Sequence, residues 1–150
     1  MLSPLAKKGA ACLPETSIQV RVAFFDVDST QRIHFTAMFR YMELAEHALM
    51  RSIGFPYATT LLDIAFPRVH LACDFHGAIH YDDQLTITAR VDHVGRSSWN
   101  VTFTVRSATE SSQELGPILA QGNMTMVAMN PETQQARPLP EELREALIRL

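Results

Sequence analysis

Hydrophobic and polar positions first alternate with a period of two. In Ser17 to Phe25, the residues Ile18, Val20, Val22 and Phe24 share one side, and Gln19, Arg21 and Ala23 the other, which predicts a half-buried strand. The period then changes. From Ala37 to Ile53, Met38, Tyr41, Met42, Ala45, Ala48, Leu49 and Ile53 form a broad apolar stripe at helical spacing. Arg40, Glu43, His47 and Arg51 occupy another face at i, i+3 or i+4 steps. Thr36 is placed to cap this helix and Gly54 to stop it, with Pro56 just beyond. So wide a stripe predicts a helix largely surrounded by sheet.

Period two then returns. Val69, Leu71, Cys73 and Phe75 alternate against His70, Ala72, Asp74 and His76. Leu85 to Val91 and Trp99 to Val105 alternate in the same way, and Val94-Gly95-Arg96-Ser97 makes a tight turn that joins them as a hairpin. Ser107 to Gly116 reads as a polar loop, Ile118 to Met129 as a long last strand, and Leu139 to Leu150 as a short amphipathic helix. One long helix followed by antiparallel strands is an α+β pattern.

Composition narrows the picture. A chain of 150 residues, 47% hydrophobic, fits one domain, here 16–150, behind a loose tail at 1–15. The net charge of -3, with Lys7 and Lys8 as the only lysines, leaves no footprint for nucleic acid. Cys12 in the tail and Cys73 in an apolar strand make no disulfide framework, so a reduced, cytoplasmic protein is expected. No stretch has the length and character of a signal peptide or a membrane span.

Two acids, Asp26 and Asp28, lie between the first strand and the helix. A carboxylate just ahead of a helix N-terminus can serve as base or nucleophile, while free N–H groups of the helix start hold an oxyanion. It can equally do no more than cap the helix and favour its dipole, and spacing alone favours that simpler reading. Asp26 is expected as a solvated strand-end acid; the alternative places it beside Asp28, raising that group's pKa. His70, His76 and His80 share parity with Asp74 and suggest zinc. Residues six apart on a straight strand are about 20 Å apart, however, so no metal site is expected.

The stretch 22–43, VAFFDVDSTQRIHFTAMFRYME, resembles the signature of the 4-hydroxybenzoyl-CoA thioesterase-like acyl-CoA thioesterases, which have the hotdog fold. Asp28 takes the signature Asp, and Arg40-Tyr41-Met42-Glu43 falls at the matching distance. Phe75 to Trp99 is similar to the family's Tyr-Asp-Asp strand and basic turn, and Met129 to Pro140 to its closing strand and turn. The pattern is departed from in the loop, where Ser29-Thr30-Gln31-Arg32 replaces a glycine-bearing run, and at Ala37-Met38.

The resemblance implies an antiparallel sheet wrapped around a central helix and an acyl-CoA thioesterase. Asp28 would be base or nucleophile, and the Phe35 backbone N–H would hold the oxyanion. A substrate-facing or acid–base role for His34 is implied as an alternative to plain polar surface. Glu43 would face the acyl pocket, the alternative being a solvated pairing with His47 or Arg40 on the helix surface, and Tyr41 would bind substrate. Arg96, Ser97 and Ser98 would meet the CoA phosphates, a task suited to Arg. No cofactor beyond the CoA of the substrate is implied. A carrier-protein thioesterase and a catalytically weak acyl-CoA-binding protein remain the alternatives. The assembly implied is a homodimer, extending to a homotetramer, built on the Val69 to Phe75 edge.

Overall fold

The computed structural model describes residues 13–109 and 115–149. Cys12, both lysines, most of the expected tail and the middle of the Ser107 to Gly116 loop lie outside them. Strand β1 (Glu15–Arg21) starts inside the segment expected as tail. Helix α1 (Phe35–Ser52) follows, then β2 (Arg68–Phe75), β3 (Gln84–Val94), β4 (Ser98–Ser107), β5 (Ile118–Val127) and the short helix α2 (Glu141–Ile148).

The strands form one five-stranded antiparallel sheet in the order β1-β3-β4-β5-β2. Its inner face carries Leu85, Ile87, Ala89 and Val91 of β3, Trp99, Val101, Phe103 and Val105 of β4, and Ala120, Met124 and Met126 of β5, all buried. The stripe of α1 lies against that face, with Met38, Met42, Leu49 and Met50 fully covered. Gly122 marks a close approach, because a Cβ there would stand 2.5 Å from both the Ala72 carbonyl and the Met42 methyl. This is the α+β hotdog arrangement that the sequence led us to expect. Leu143 and Leu147 of α2 are also part of the core.

The first strand ends earlier than the alternation predicted. β1 pairs with β3 only as far as Arg21 opposite Gln84, where β3 begins. Val22 then bonds Asp83, and Phe24–Asp26 form a 3-10 turn. Phe24, expected inward, is 71% exposed, and its ring meets Tyr81 edge-on. β5 also stops before Met129, which instead bridges Ala65 and Ala136. Gly54 follows the helix end with φ +90, the left-handed conformation that favours glycine there.

β2 is an edge strand, with a register shift between Arg68 and His70. Leu71, Cys73 and Phe75 turn toward the helix side opposite Met124, Gly122 and Ala120. At this margin the helix does not cover them fully: Val69, Leu71 and Phe75 remain 60%, 45% and 45% exposed. The strand is anchored by a polar group. Glu46, fully buried on α1, accepts from the Tyr57 hydroxyl at 2.5 Å and from Arg68 Nη2 at 3.1 Å. Burial pushes its carboxyl above the usual range, against the opposing pull of Tyr57, Arg68 and His47. Removing one member of such a buried pair strands the other's charge. Glu46→Ala is therefore expected to lower unfolding free energy by about 3 kcal/mol, read from urea denaturation. An unchanged midpoint would show that Arg68 finds water instead.

Candidate active site

The segment between β1 and α1 is built around Asp26. Its carboxylate is buried, and it receives hydrogen bonds from the Arg40 guanidinium and, at 2.5 Å, from the Tyr41 hydroxyl. Burial pushes the Asp26 carboxyl up, but Tyr41 and Arg40 together outweigh it and hold it below the ordinary range. Asp26 is thus not the solvated acid expected from the sequence. It is the group that ties the loop to the helix. Its carbonyl accepts from His34 N–H at 2.7 Å, and Val27 bridges Ile33, so both ends of the loop meet at one point.

Asp28 stands two residues on, exposed at the tip. Its N–H donates to the Arg32 carbonyl and its carbonyl accepts from Gln31 N–H, closing a tight turn. Gln31 takes φ +64, a left-handed conformation achieved without glycine. The Asp28 carboxylate accepts from the Thr30 hydroxyl at 2.5 Å and from Thr30 N–H at 2.8 Å, both on Oδ1. The Thr30 hydroxyl first, then the Thr30 amide, the Arg32 amide and the His34 ring, hold the carboxyl below its usual range. Asp28 is ionised at neutral pH.

Asp28 and Phe35 line one cleft of about 490 Å³, together with Arg32, Ile33, Phe75, His76, Gly77, Ala78 and Ile79. Phe35 is the first residue of α1, where N–H groups have no helical partner and the dipole is positive. Its N–H has no hydrogen-bond partner among the described residues. The cleft is therefore lined by an ionised carboxylate and by the first residue of a helix, among Ile33, Phe75, Ala78 and Ile79. That combination can support attack on a carbonyl and stabilisation of the oxyanion that results.

The other predicted residues are placed differently. His34, not Thr36, caps α1: its Nδ1 accepts from Thr36 N–H at 3.3 Å, and its ring stacks on Phe35. Tyr41 is buried on Asp26 and does not line the cleft. Glu43 is exposed on α1, 3.6 Å from His47, also away from the cleft. Arg96, Ser97 and Ser98 lie at the β3–β4 turn, as expected. That turn is at the Ser98 end of β4, whereas the cleft lies by Phe75 near the Ser107 end. Ten residues of strand put the two about 30 Å apart. Within one chain, Asp28 and Phe35 are brought together and Arg96 is not.

Two residues that matter here were misread or missed. Asp26 shared parity with Asp28 and gave no local sign of burial. Glu46 did give a sign, since it falls four residues after Met42 on the apolar stripe. Cys73 is half-buried, and burial pushes its thiol up to about 11, so it offers no ready thiolate. Among the described residues no helix is long and apolar enough to cross a membrane, and no group of three metal-ligating side chains occurs.

A family model described as "Thioesterase superfamily" matches residues 30–112. A relative, the 1,4-dihydroxy-2-naphthoyl-CoA hydrolase of Rippkaea orientalis, is 24% identical over 124 residues, which are 81% of this chain and 87% of the relative. The crystal structure of a 1,4-dihydroxy-2-naphthoyl-CoA thioesterase from Synechocystis superposes with a TM-score of 0.77 at 20% identity, covering 89% of this chain and 95% of that one. That of a 4-hydroxybenzoyl CoA thioesterase mutant, complexed with 4-hydroxybenzoyl CoA, gives 0.76 at 18% identity, covering 89% and 99%. At these identities the likeness to the solved structures is one of fold.

The Asp26 arrangement carries a signed pH dependence. A carboxyl held below its unfolded value contributes stability above about pH 4, and that contribution is lost as pH falls through the folded value. Asp26→Asn is expected to be less stable at neutral pH and to lose less on acidification, measured by thermal melts between about pH 6 and pH 2. Parallel curves for the two proteins would show that Asp26 is not linked to folding.

Proposed function

This chain belongs to the thioesterase superfamily and is a thioester hydrolase, and from that premise we propose that it hydrolyses acyl-CoA with Asp28 as base or nucleophile. The observation that carries the reading is that Asp28 and Phe35, the first residue of α1, line one cleft. As nucleophile, Asp28 adds to the thioester carbonyl, CoA leaves as its thiolate, and water cleaves the anhydride. As base, it takes a proton from the water that attacks. In either case the oxyanion is held by the Phe35 N–H, at the positive end of α1. Water is the only co-reactant needed.

The walls favour an apolar, flat acyl group: Phe35 and Phe75 face the cleft with Ile33 and Ile79. The names of the relatives, which act on hydroxylated aroyl-CoA esters, agree with that choice. Gln31 supports activity in spite of the missing glycine, because it adopts the left-handed conformation a glycine would supply. The exposed row Val69, Leu71 and Phe75 on the β2 edge suits pairing with a second copy. In such a dimer the Arg96 turn of a neighbouring subunit would serve the nucleotide end of CoA.

Asp28→Asn is expected to lower turnover of aroyl-CoA esters by at least about a hundredfold, the scale for removing a general base. Wild-type hydrolysis by that variant would sink the assignment, and turnover of acyl-carrier proteins but not CoA esters would move the substrate to the carrier. Turnover of neither by the wild-type protein would leave binding as its role. Sedimentation at micromolar concentration is expected to show a dimer or tetramer; an active monomer would refute the shared site.

A further inference from the structure

We propose that Thr30 is a positioning residue for the reaction, fixing one oxygen of the Asp28 carboxylate so that the other is presented to the cleft. The inference rests on the reading of Asp28 as the reacting group. It begins from the place where this loop departs from the resembling signature, at Ser29-Thr30-Gln31-Arg32. Asp side chains readily accept from the backbone two residues on, and Asp28 does so from Thr30 N–H at 2.8 Å. Thr30 adds a second donor to the same oxygen, its hydroxyl at 2.5 Å. Threonine is stiff about its first side-chain bond, so the hydroxyl is itself held in place.

An exposed carboxylate on a loop would otherwise rotate among several orientations. Here Oδ1 carries both Thr30 bonds and Oδ2 has no hydrogen bond among the described residues, and Asp28 lines the cleft. Reactions of this kind lose rate steeply when the attacking group is misplaced. The two donors also favour the ionised form, and the hydroxyl is the larger influence. The other charged or titratable groups around Asp28 are Arg32 and His76 on the cleft wall and His34 at the helix start. His80 bridges Arg32 through the backbone and turns its ring toward Asp83.

The test compares Thr30→Val, which keeps the branch and the amide but lacks the hydroxyl, with Thr30→Ser, which keeps the hydroxyl. Hydrolysis of 4-hydroxybenzoyl-CoA is followed across pH for both variants, for the wild-type protein and for Asp28→Asn. Thr30→Val is expected to lower kcat about tenfold with KM little changed. The acid limb of its kcat/KM profile moves to higher pH, because the lost hydroxyl no longer favours the carboxylate. Thr30→Ser restores both. A Thr30→Val profile and kcat that superimpose on wild type overturn the inference, as does a Thr30→Ser variant equally impaired. If Asp28→Asn turns over at the wild-type rate, the failure lies in the assignment of Asp28 itself.

Discussion

The ion pair between Asp26 and Arg40, completed by the Tyr41 hydroxyl, is the constraint on which the site depends. Taking a carboxylate out of water is costly unless it is paired and hydrogen-bonded. Both partners are on the first turns of α1, so the chain has to bring Asp26 to the helix start. That requirement accounts for the 3-10 turn after β1, for the outward Phe24, and for the closing bond from His34 N–H to the Asp26 carbonyl. Asp28 is placed at the cleft because its neighbour two residues back is buried. The position of the tip is thus set by a group that does not itself line the cleft.

A second buried carboxylate does comparable work farther along the same helix. Glu46 gathers Tyr57 from the connection after α1 and Arg68 from the first residue of β2. Asp26 fixes what enters the helix, and Glu46 fixes the strand whose far end, at Phe75, forms part of the cleft wall. Around these two points the helix packs through Met38, Met42 and Met50. Methionine adapts its shape to irregular space, so the polar anchors specify position where the apolar contacts alone would tolerate sliding.

Much of this was legible in the sequence because it follows from period. The stripe of α1 and the alternation of β3 and β4 fixed those elements, and the motif around Asp28 pointed to the residue that lines the cleft. What was not legible depends on partners far along the chain. Alternation carried β1 through to Phe25, but the strand ends where β3 begins, at Gln84, which local pattern does not contain. Parity treated Asp26 and Asp28 alike. The difference between them comes from Arg40 and Tyr41, fourteen and fifteen residues away. Tyr41 fits a substrate contact by motif, yet a hydroxyl on an otherwise apolar stripe also suits an internal acceptor, and here it meets Asp26. Arg96 matched by motif, and only the topology shows that its turn is at the other end of the sheet.

Gln31 has a further consequence. Its left-handed φ costs the folded chain about 1 kcal/mol relative to a right-handed residue. A glycine would avoid that strain, but it would also give the unfolded loop many more conformations to lose. This chain accepts a small enthalpic strain in exchange for a smaller entropic one. With Thr30 branched beside it, the loop begins folding from a narrower ensemble than a glycine-bearing loop would. The order at its tip therefore comes partly from what the unfolded chain is unable to do.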